Sequence, residues 1–138
     1  SKAIAQQQRT RVPMSLIIFD IDYFKSINDT QGHDKGDMVL QKVGQLISNR
    51  LRSSDMAFRI GGEEFLLLVH NADQQQAAII AEQLRATLEQ TKLTPEGRVT
   101  ISAGVCGLQP NMKVADWIKQ CDDNMYKAKE LGRNQVVA

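Results

Sequence analysis

Two pairs of acidic residues are the part of this sequence best suited to chemistry. Asp20 and Asp22 end a short apolar stretch, and Glu63 and Glu64 follow two adjacent glycines. Crowded carboxylates repel one another, and a hard divalent cation such as Mg²⁺ removes that cost when it sits between carboxylates and substrate phosphates. If the two pairs lie side by side, Asp20 and Glu63 share one metal ion. Taken alone, each pair more commonly belongs to a solvated turn.

The glycine pair has two interpretations that are compatible with each other. Gly61 and Gly62 predict a tight hairpin, because adjacent glycines tolerate the positive φ angles of a type I′ turn. The missing side chains also leave room for a nucleotide to approach the backbone closely.

The elements that position these residues are predicted from hydrophobic periodicity. Strands are expected at 15–20, 55–60, 64–69, 99–105 and 135–137, and helices at 38–51, 77–88 and 114–131. Turn-forming residues predict a loop over 28–37, and Gly132 is expected to end the last helix. The order β-α-β-β-α-β-α-β predicts an α+β fold with a ferredoxin-like βαββαβ core, a mostly antiparallel central sheet and flanking helices. In such a core the end of the first strand lies beside the central hairpin.

Composition restricts the classes of function. The chain has 138 residues, which predicts a single domain over 1–138, and its net charge of +1 disfavours a nucleic-acid polymer as partner. Two cysteines and two histidines make a zinc site improbable. With no apolar run of membrane-spanning length and no signal peptide, a cytoplasmic domain is expected. The polar start over 1–11 resembles the end of a helix from a longer protein, which could be membrane-anchored.

Four blocks of sequence resemble one enzyme family. The block RIGGEEF resembles the GGDEF/GGEEF signature of the diguanylate cyclases, and three more blocks resemble the other conserved segments of that family in the same order. The four blocks lie at 59–65, 19–37, 99–105 and 126–134. The resemblance covers nearly the whole chain from Pro13 onward, and it implies a palm-like nucleotidyl cyclase domain.

The resemblance implies a metal site and a set of residues around it. Asp20 and Glu63 resemble the Mg²⁺-binding carboxylates, with Mn²⁺ as an alternative ion, and the Ile21 carbonyl resembles a backbone ligand. Glu64 resembles a residue close to the metal and the phosphates. It serves either as a second ligand or in deprotonating the attacking hydroxyl.

The resemblance also implies substrate contacts. Asn28 and Asp37 resemble the pair that reads the guanine edge, which suits the donors and acceptors of that base. Lys129 and Arg133 resemble phosphate contacts and, at positions i and i+4 of a helix, are expected to share a face. Two further residues are candidates: Lys25 for a phosphate, and Phe24 for a wall of the base or ribose site or, equally, for the core.

The family's reaction is then expected. The 3′-hydroxyl of one GTP attacks the α-phosphate of a second, pyrophosphate leaves, and cyclic di-GMP forms. Each domain of the family holds one GTP, which implies a homodimer with its two-fold axis through the product. An N-terminal sensor or regulatory domain is expected in the parent protein. The family block resembling DxLTxLxNR is missing ahead of the first strand, so the start of the domain is expected to be truncated.

The resemblance also implies a second ligand site at Arg52 and Asp55, which form an RxxD motif. Five residues lie between Asp55 and Gly61. The motif resembles the inhibitory site at which the family binds its product, with Arg85 as a further candidate from the next helix. Arg suits this task, since its planar guanidinium grips phosphate and stacks on guanine. The alternative is an exposed ion pair at a helix end, which contributes little.

Two functions other than the cyclase remain open. The first is a receptor that binds cyclic di-GMP through Arg52 and Asp55 without making it. The intact acidic residues and guanine-reading pair favour the cyclase. A palm-like transferase acting on ATP is the third interpretation, and the pair Asn28 and Asp37 disfavours it.

Overall fold

The structure is a computed structural model, and it describes residues 12–95 and 97–138. The predicted helix end over 1–11 lies outside the described residues. Within them the strands are β1 (Met14–Ile21), β2 (Met56–Ile60), β3 (Glu64–His70), β4 (Ile101–Gly107) and β5 (Gln135–Val137). The helices are α1 (Phe24–Gln31), α2 (His33–Arg50), α3 (Gln74–Gln90) and α4 (Val114–Glu130).

The five strands form one sheet in the order β2-β3-β1-β4-β5. β1 is antiparallel to both of its neighbours, β2 is antiparallel to β3, and β5 is parallel to β4. The four strands without β5 have the order and connections of a ferredoxin-like core, so the predicted α+β fold with a mostly antiparallel sheet is confirmed. All eight residues of β1 are buried, because β1 lies in the middle of the sheet.

Helices cover the sheet on both faces, which gives two hydrophobic cores. On one face α2 and α3 pack against alternate residues of β1, including Ile17 and Phe19. On the other face α4 packs against the intervening residues, including Leu16 and Ile18, through Trp117. Side chains of a strand point alternately to the two faces, so successive residues of β1 enter different cores.

The prediction of a loop over 28–37 is wrong. The chain is helical on both sides of Gly32, which is the single break between α1 and α2 and has a φ of 89°. Most of the turn-forming residues occupy exposed positions of these helices, and the Thr30 hydroxyl donates a 2.7 Å hydrogen bond to the Ser26 carbonyl one turn earlier. Packing of Phe24 and Val39 in the core outweighs the weak local preference of the polar residues.

Candidate active site

The first strand and the central hairpin meet as predicted. Asp20 and Glu64 are directly opposite each other in the register of β1 and β3, and opposed residues of an antiparallel pair point to the same face. The backbone N–H of Ile21 donates a 3.2 Å hydrogen bond to the Glu63 carbonyl. The carboxylates that the sequence separates by some forty positions are therefore neighbours in the fold.

A cavity of about 170 Å³ opens at this end of the sheet. Its lining includes the residues proposed from sequence for the metal and the phosphates, which are Asp20, Ile21, Glu63, Lys25, Lys129 and Arg133. Asp22, Tyr23 and Phe24 complete the lining. Phe24 also belongs to the hydrophobic core, so both interpretations of this residue hold.

The Asp20 carboxylate is the centre of charge in the cavity. Its Oδ2 contacts the Lys129 ammonium, while its Oδ1 is buried and has no hydrogen-bond partner among the described residues. A buried acceptor without a donor is costly, and a bound cation would remove that cost. The donor set of two carboxylates and a carbonyl therefore fits Mg²⁺, which prefers oxygen ligands. No group of three His, Cys, Asp or Glu residues within 12–95 and 97–138 is arranged to hold a metal by itself.

Two ionisable groups next to Asp20 respond to this charge. Burial raises the pKa of Glu64, and the nearby carboxylates Asp122 and Asp20 raise it further. For Lys129 burial acts to lower the pKa, but the hydrogen bond and attraction to Asp20 outweigh it, and the pKa lies above its usual value. Both shifts indicate a site with an excess of negative charge.

Arg133 reaches the cavity by a different route from the one expected. It does not continue the helical face of Lys129, because α4 ends at Glu130 and Gly132 adopts a φ of 121°. The N–H of Arg133 donates a 3.0 Å hydrogen bond to the Ala128 carbonyl, and that of Gly132 a 3.3 Å bond to the Lys129 carbonyl. This is a Schellman end, which needs a residue with positive φ at the glycine position. The turn brings Arg133 back, with its guanidinium 4.9 Å from the Tyr23 ring centre.

The two guanine-reading candidates lie on adjacent helices. A Cβ atom on Gly36 would be 1.8 Å from Oδ1 of Asn28, so the Asn28 side chain occupies the space that a larger residue would take. Asp37 follows Gly36 and lines a separate cavity of about 240 Å³ together with Arg59 and Phe65. The structure therefore brings Asn28 close to the backbone beside Asp37, but the two side chains do not line one cavity.

The hairpin differs in detail from the prediction. Three residues, Gly61 to Glu63, connect β2 and β3, and of the two glycines only Gly61 has a positive φ. The prediction of a type I′ turn is therefore wrong, because that turn needs positive φ at two adjacent residues. Open space surrounds both glycine Cα atoms. Arg59 donates hydrogen bonds of 2.9 and 2.7 Å to the Gly62 carbonyl, a contact that the sequence did not predict.

Arg52 and Asp55 form an anchored pair rather than a loose surface ion pair. Asp55 accepts hydrogen bonds from the backbone N–H of His70 at 3.0 Å and of Arg52 at 3.1 Å, and its side chain is 3% exposed against 52% for Arg52. Burial acts to raise the pKa of Asp55, but these hydrogen bonds and the Arg52 guanidinium hold it below its ordinary value. His70 is paired with Met14, so this pair lies at the end of the sheet away from the cavity.

Arg85 is not part of this pair. Its guanidinium donates to Glu82, to Glu89 and, at 2.8 Å, to Oδ1 of Asn134, which follows the last turn of α4. These contacts place Arg85 near the cavity end of the sheet, far from Arg52. From sequence, Arg85 could be assigned to the helix after the hairpin, but not to one end of the sheet.

Asp22 is buried like Asp20, but its hydrogen bonds are different. Both of its oxygens are occupied, by the hydroxyls of Thr100 at 2.7 Å and Ser102 at 2.6 Å and by the backbone N–H of Asn134 at 3.0 Å. From sequence, Asp22 forms one acidic pair with Asp20 and only Asp20 is proposed as a metal ligand, but these contacts of Asp22 are not predicted.

Comparison with known proteins identifies the family. The family described as "Diguanylate cyclase, GGDEF domain" matches residues 1–135. The chain belongs to the GGDEF domain family. It is 37% identical to the diguanylate cyclase DosC of Escherichia coli over 139 residues, which cover 98% of this chain and 30% of DosC. The chain thus spans about a third of the length of such relatives.

Solved GGDEF domains share the fold. The active GGEEF domain of a diguanylate cyclase from Vibrio cholerae aligns with a TM-score of 0.93 and 36% identity, over 99% of this chain and 88% of that one. The GGDEF domain of DgcB from Caulobacter crescentus, in complex with c-di-GMP, aligns with a TM-score of 0.94 and 29% identity over 99% and 84% of the chains. Among the described helices of this GGDEF domain, none is both long and apolar enough to cross a membrane.

Proposed function

We propose that this GGDEF domain condenses two GTP molecules into cyclic di-GMP and pyrophosphate, with Mg²⁺ or Mn²⁺, as a homodimer. The observation that carries the proposal is the cavity in which the unpartnered Oδ1 of Asp20 lies beside the cations of Lys129 and Arg133. Such a cavity suits a metal–triphosphate, which brings both positive and negative charge. The named relatives support the reaction class.

Residues of the chain have separate roles in this mechanism. Asp20 and Glu63, with the Ile21 carbonyl, hold the metal ion, whose chemistry is to polarise the phosphate and lower the pKa of the attacking hydroxyl. Lys129 and Arg133 bind the triphosphate, and Lys25 adds a further cation at the same wall. Most of the rate comes from positioning and charge neutralisation, since phosphoryl transfer needs little covalent chemistry from the protein.

Glu64 suits the deprotonation of the 3′-hydroxyl better than its sequence neighbours. Burial and the surrounding carboxylates raise its pKa, which makes it a stronger base than an exposed glutamate. Guanine recognition falls to Asn28 and Asp37, whose groups complement the base, and Gly61 and Gly62 leave the hairpin open to the nucleotide.

The direct test is incubation of the domain at high concentration with GTP and Mg²⁺, followed by chromatography. We expect cyclic di-GMP from GTP, no cyclic product from ATP, and no product from Glu63→Gln. Conversion of ATP at the same rate would contradict the guanine-reading pair. Full activity of Glu63→Gln would contradict the metal site.

A second function, binding of cyclic di-GMP at Arg52, is favoured by the exposed guanidinium held beside a buried carboxylate. Because Asp55 fixes the arginine, little side-chain freedom is lost when a phosphate binds. We expect Arg52→Ala to leave the initial rate unchanged within about twofold and to weaken product inhibition by at least about tenfold. Inhibition curves with added cyclic di-GMP measure this, and a variant as sensitive as the parent rules out the site.

If the domain binds cyclic di-GMP but forms none from GTP, the receptor function replaces the cyclase. The cytoplasmic location, the single domain over 1–138 and an N-terminal sensor domain in the parent protein are further predictions. The first two rest on the composition and length of the sequence, and the third rests on the resemblance to the family.

A further inference from the structure

The turn that follows α4 contains two consecutive left-handed residues, Arg133 and Asn134, with φ angles of 65° and 48°. Arginine rarely adopts this conformation and keeps it only where the surroundings determine it, whereas asparagine adopts it more readily. The hydrogen bonds of the helix end hold Arg133, and separate contacts hold Asn134.

Asp22 provides that contact from the sheet. Its carboxylate is 4% exposed and accepts the Asn134 N–H at 3.0 Å, with the Thr100 and Ser102 hydroxyls as its other donors. A buried carboxylate is tolerated only when hydrogen bonds satisfy it, and here both oxygens are satisfied. Asp22 therefore ties the turn to β1 and to the start of β4, and both of its oxygens already accept hydrogen bonds.

Arg85 holds the same turn from its outer side. Its guanidinium donates to Oδ1 of Asn134 at 2.8 Å, and the Asn134 amide donates to Glu89. Glu82 and Glu89 in turn hold the guanidinium, with nitrogen–oxygen distances of 2.9 and 3.3 Å. The Arg85 side chain is 15% exposed and does not line the cavity.

We propose that Asp22, Asn134 and Arg85 form a clamp whose function is to position Arg133 for the triphosphate. The inner contact sets the backbone of the turn, the outer contact sets the Asn134 side chain, and Arg133 between them is directed over Tyr23 into the cavity. All three are positioning residues, since among the residues of this turn and clamp only Arg133 is proposed to contact substrate. This inference rests on the proposed function, in which Arg133 binds phosphate.

The remote member of the clamp gives the sharpest test. Arg85→Met removes the outer contact without touching the cavity, and Lys119→Met is its control, because it removes one charge from a surface ion pair with Asp123. Binding of Mg²⁺-tripolyphosphate is measured by calorimetry, and KM and kcat for GTP are measured in parallel. We expect Arg85→Met to weaken tripolyphosphate about tenfold and to raise KM, with kcat within about twofold of the parent. Lys119→Met is expected to change neither.

A double-mutant cycle and hydrogen exchange separate positioning from loss of folding. Asn134→Gly keeps the left-handed backbone and the N–H to Asp22 but loses the side chain, so the double variant with Arg85→Met should bind no more weakly than either single variant. Exchange of the Asn134 amide should accelerate in Arg85→Met while the amides of β1 stay protected.

Two outcomes overturn the clamp in different ways. Unchanged tripolyphosphate affinity in Arg85→Met, when Arg133→Met loses affinity, refutes the clamp and leaves the phosphate role of Arg133 intact. Unchanged affinity in Arg133→Met itself refutes that phosphate role, and the clamp with it.

Discussion

At the scale of single residues, the proposed function gives Lys129 two roles that oppose each other. Its ammonium contacts Asp20, and that contact raises its pKa in spite of burial. The same carboxylate is the proposed metal ligand through its other oxygen, so the ammonium and the metal ion compete for the negative charge of one carboxylate. With nucleotide bound, the ammonium has the phosphates as a second partner. The residue should therefore weaken metal binding to the free domain and strengthen nucleotide binding.

Lys129→Met separates these two effects. Without nucleotide we expect tighter Mg²⁺ binding, by about three- to tenfold, because Asp20 loses its competing cation. For GTP we expect weaker binding, by about tenfold or more, because a phosphate contact is lost. Calorimetric titrations measure both constants, and Lys127→Met, exposed on the same helix, is the matched control. Weaker binding of both ligands would show that Lys129 does not compete with the metal.

The Asp55 carboxylate gives a prediction on stability. Asp55→Asn replaces an acceptor of two backbone hydrogen bonds and should lower the free energy of unfolding at pH 7 by about 1–3 kcal/mol. The folded state holds the pKa below the ordinary 3.8, so this contribution is complete above about pH 4 and is lost as the pH falls through the folded-state pKa. Urea unfolding at pH 7 and at a series of pH values below 4 measures it. A difference between parent and variant that stays constant over the whole acid series would assign the stability to shape and not to charge.

The residues of the cavity were largely predictable and their contacts were not. Sequence identified Asp20, Glu63 and Lys129 because residue types in a recognisable order identify a family motif. It missed that Asp22 accepts a hydrogen bond from the turn at Asn134, and it placed Arg133 on a helix that ends before it. Both errors depend on backbone geometry several residues away, which composition and spacing do not encode.

At the scale of elements, the contact between α1 and α2 depends on one glycine. Gly36 is buried in the first turns of α2, and the Asn28 side chain lies where its Cβ would be. The two helices can therefore approach closely beside Asn28 and Asp37, the two candidates for reading guanine. Sequence predicted a loop over this region, because it counted turn-forming residues and could not see that the polar ones would be exposed on two helices.

Gly36→Ala tests whether this approach matters to the nucleotide. The new methyl group would be 1.8 Å from Oδ1 of Asn28, so we expect the side chain or α1 to move, at a cost of about 1–3 kcal/mol in stability, with weaker GTP binding. Gly44→Ala is the control within the same helix, because nothing lies within 4 Å of its Cβ, and it should stabilise by about 0.5–1 kcal/mol. Thermal unfolding and GTP titration measure both. Normal GTP affinity in Gly36→Ala would remove Asn28 from the site.

At the scale of the whole molecule, the sheet separates two candidate sites. The cavity lies where Asp20 opposes Glu64, and the Arg52 pair lies where Met14 opposes His70. Six residues of extended strand separate these positions, or roughly 20 Å. A ligand at Arg52 therefore does not block the cavity of the same domain directly. Inhibition from there must act on the arrangement of two domains or on the motion of the hairpin.

The size of the cavity sets the final prediction. At about 170 Å³ it is smaller than the roughly 300–1,000 Å³ of typical ligand pockets, so it accommodates part of one nucleotide and not two. In the proposed function the two phosphodiester bonds join two GTP molecules held by two copies of the site, which face each other across a two-fold axis. Below the dimer dissociation constant, tenfold dilution should lower the rate of cyclic di-GMP formation about a hundredfold, because the dimer concentration depends on the square of the protein concentration. Rates across a dilution series, with sedimentation at each concentration, measure this at saturating GTP. A rate that stays proportional to protein concentration while sedimentation shows only monomer would mean that one domain forms both bonds.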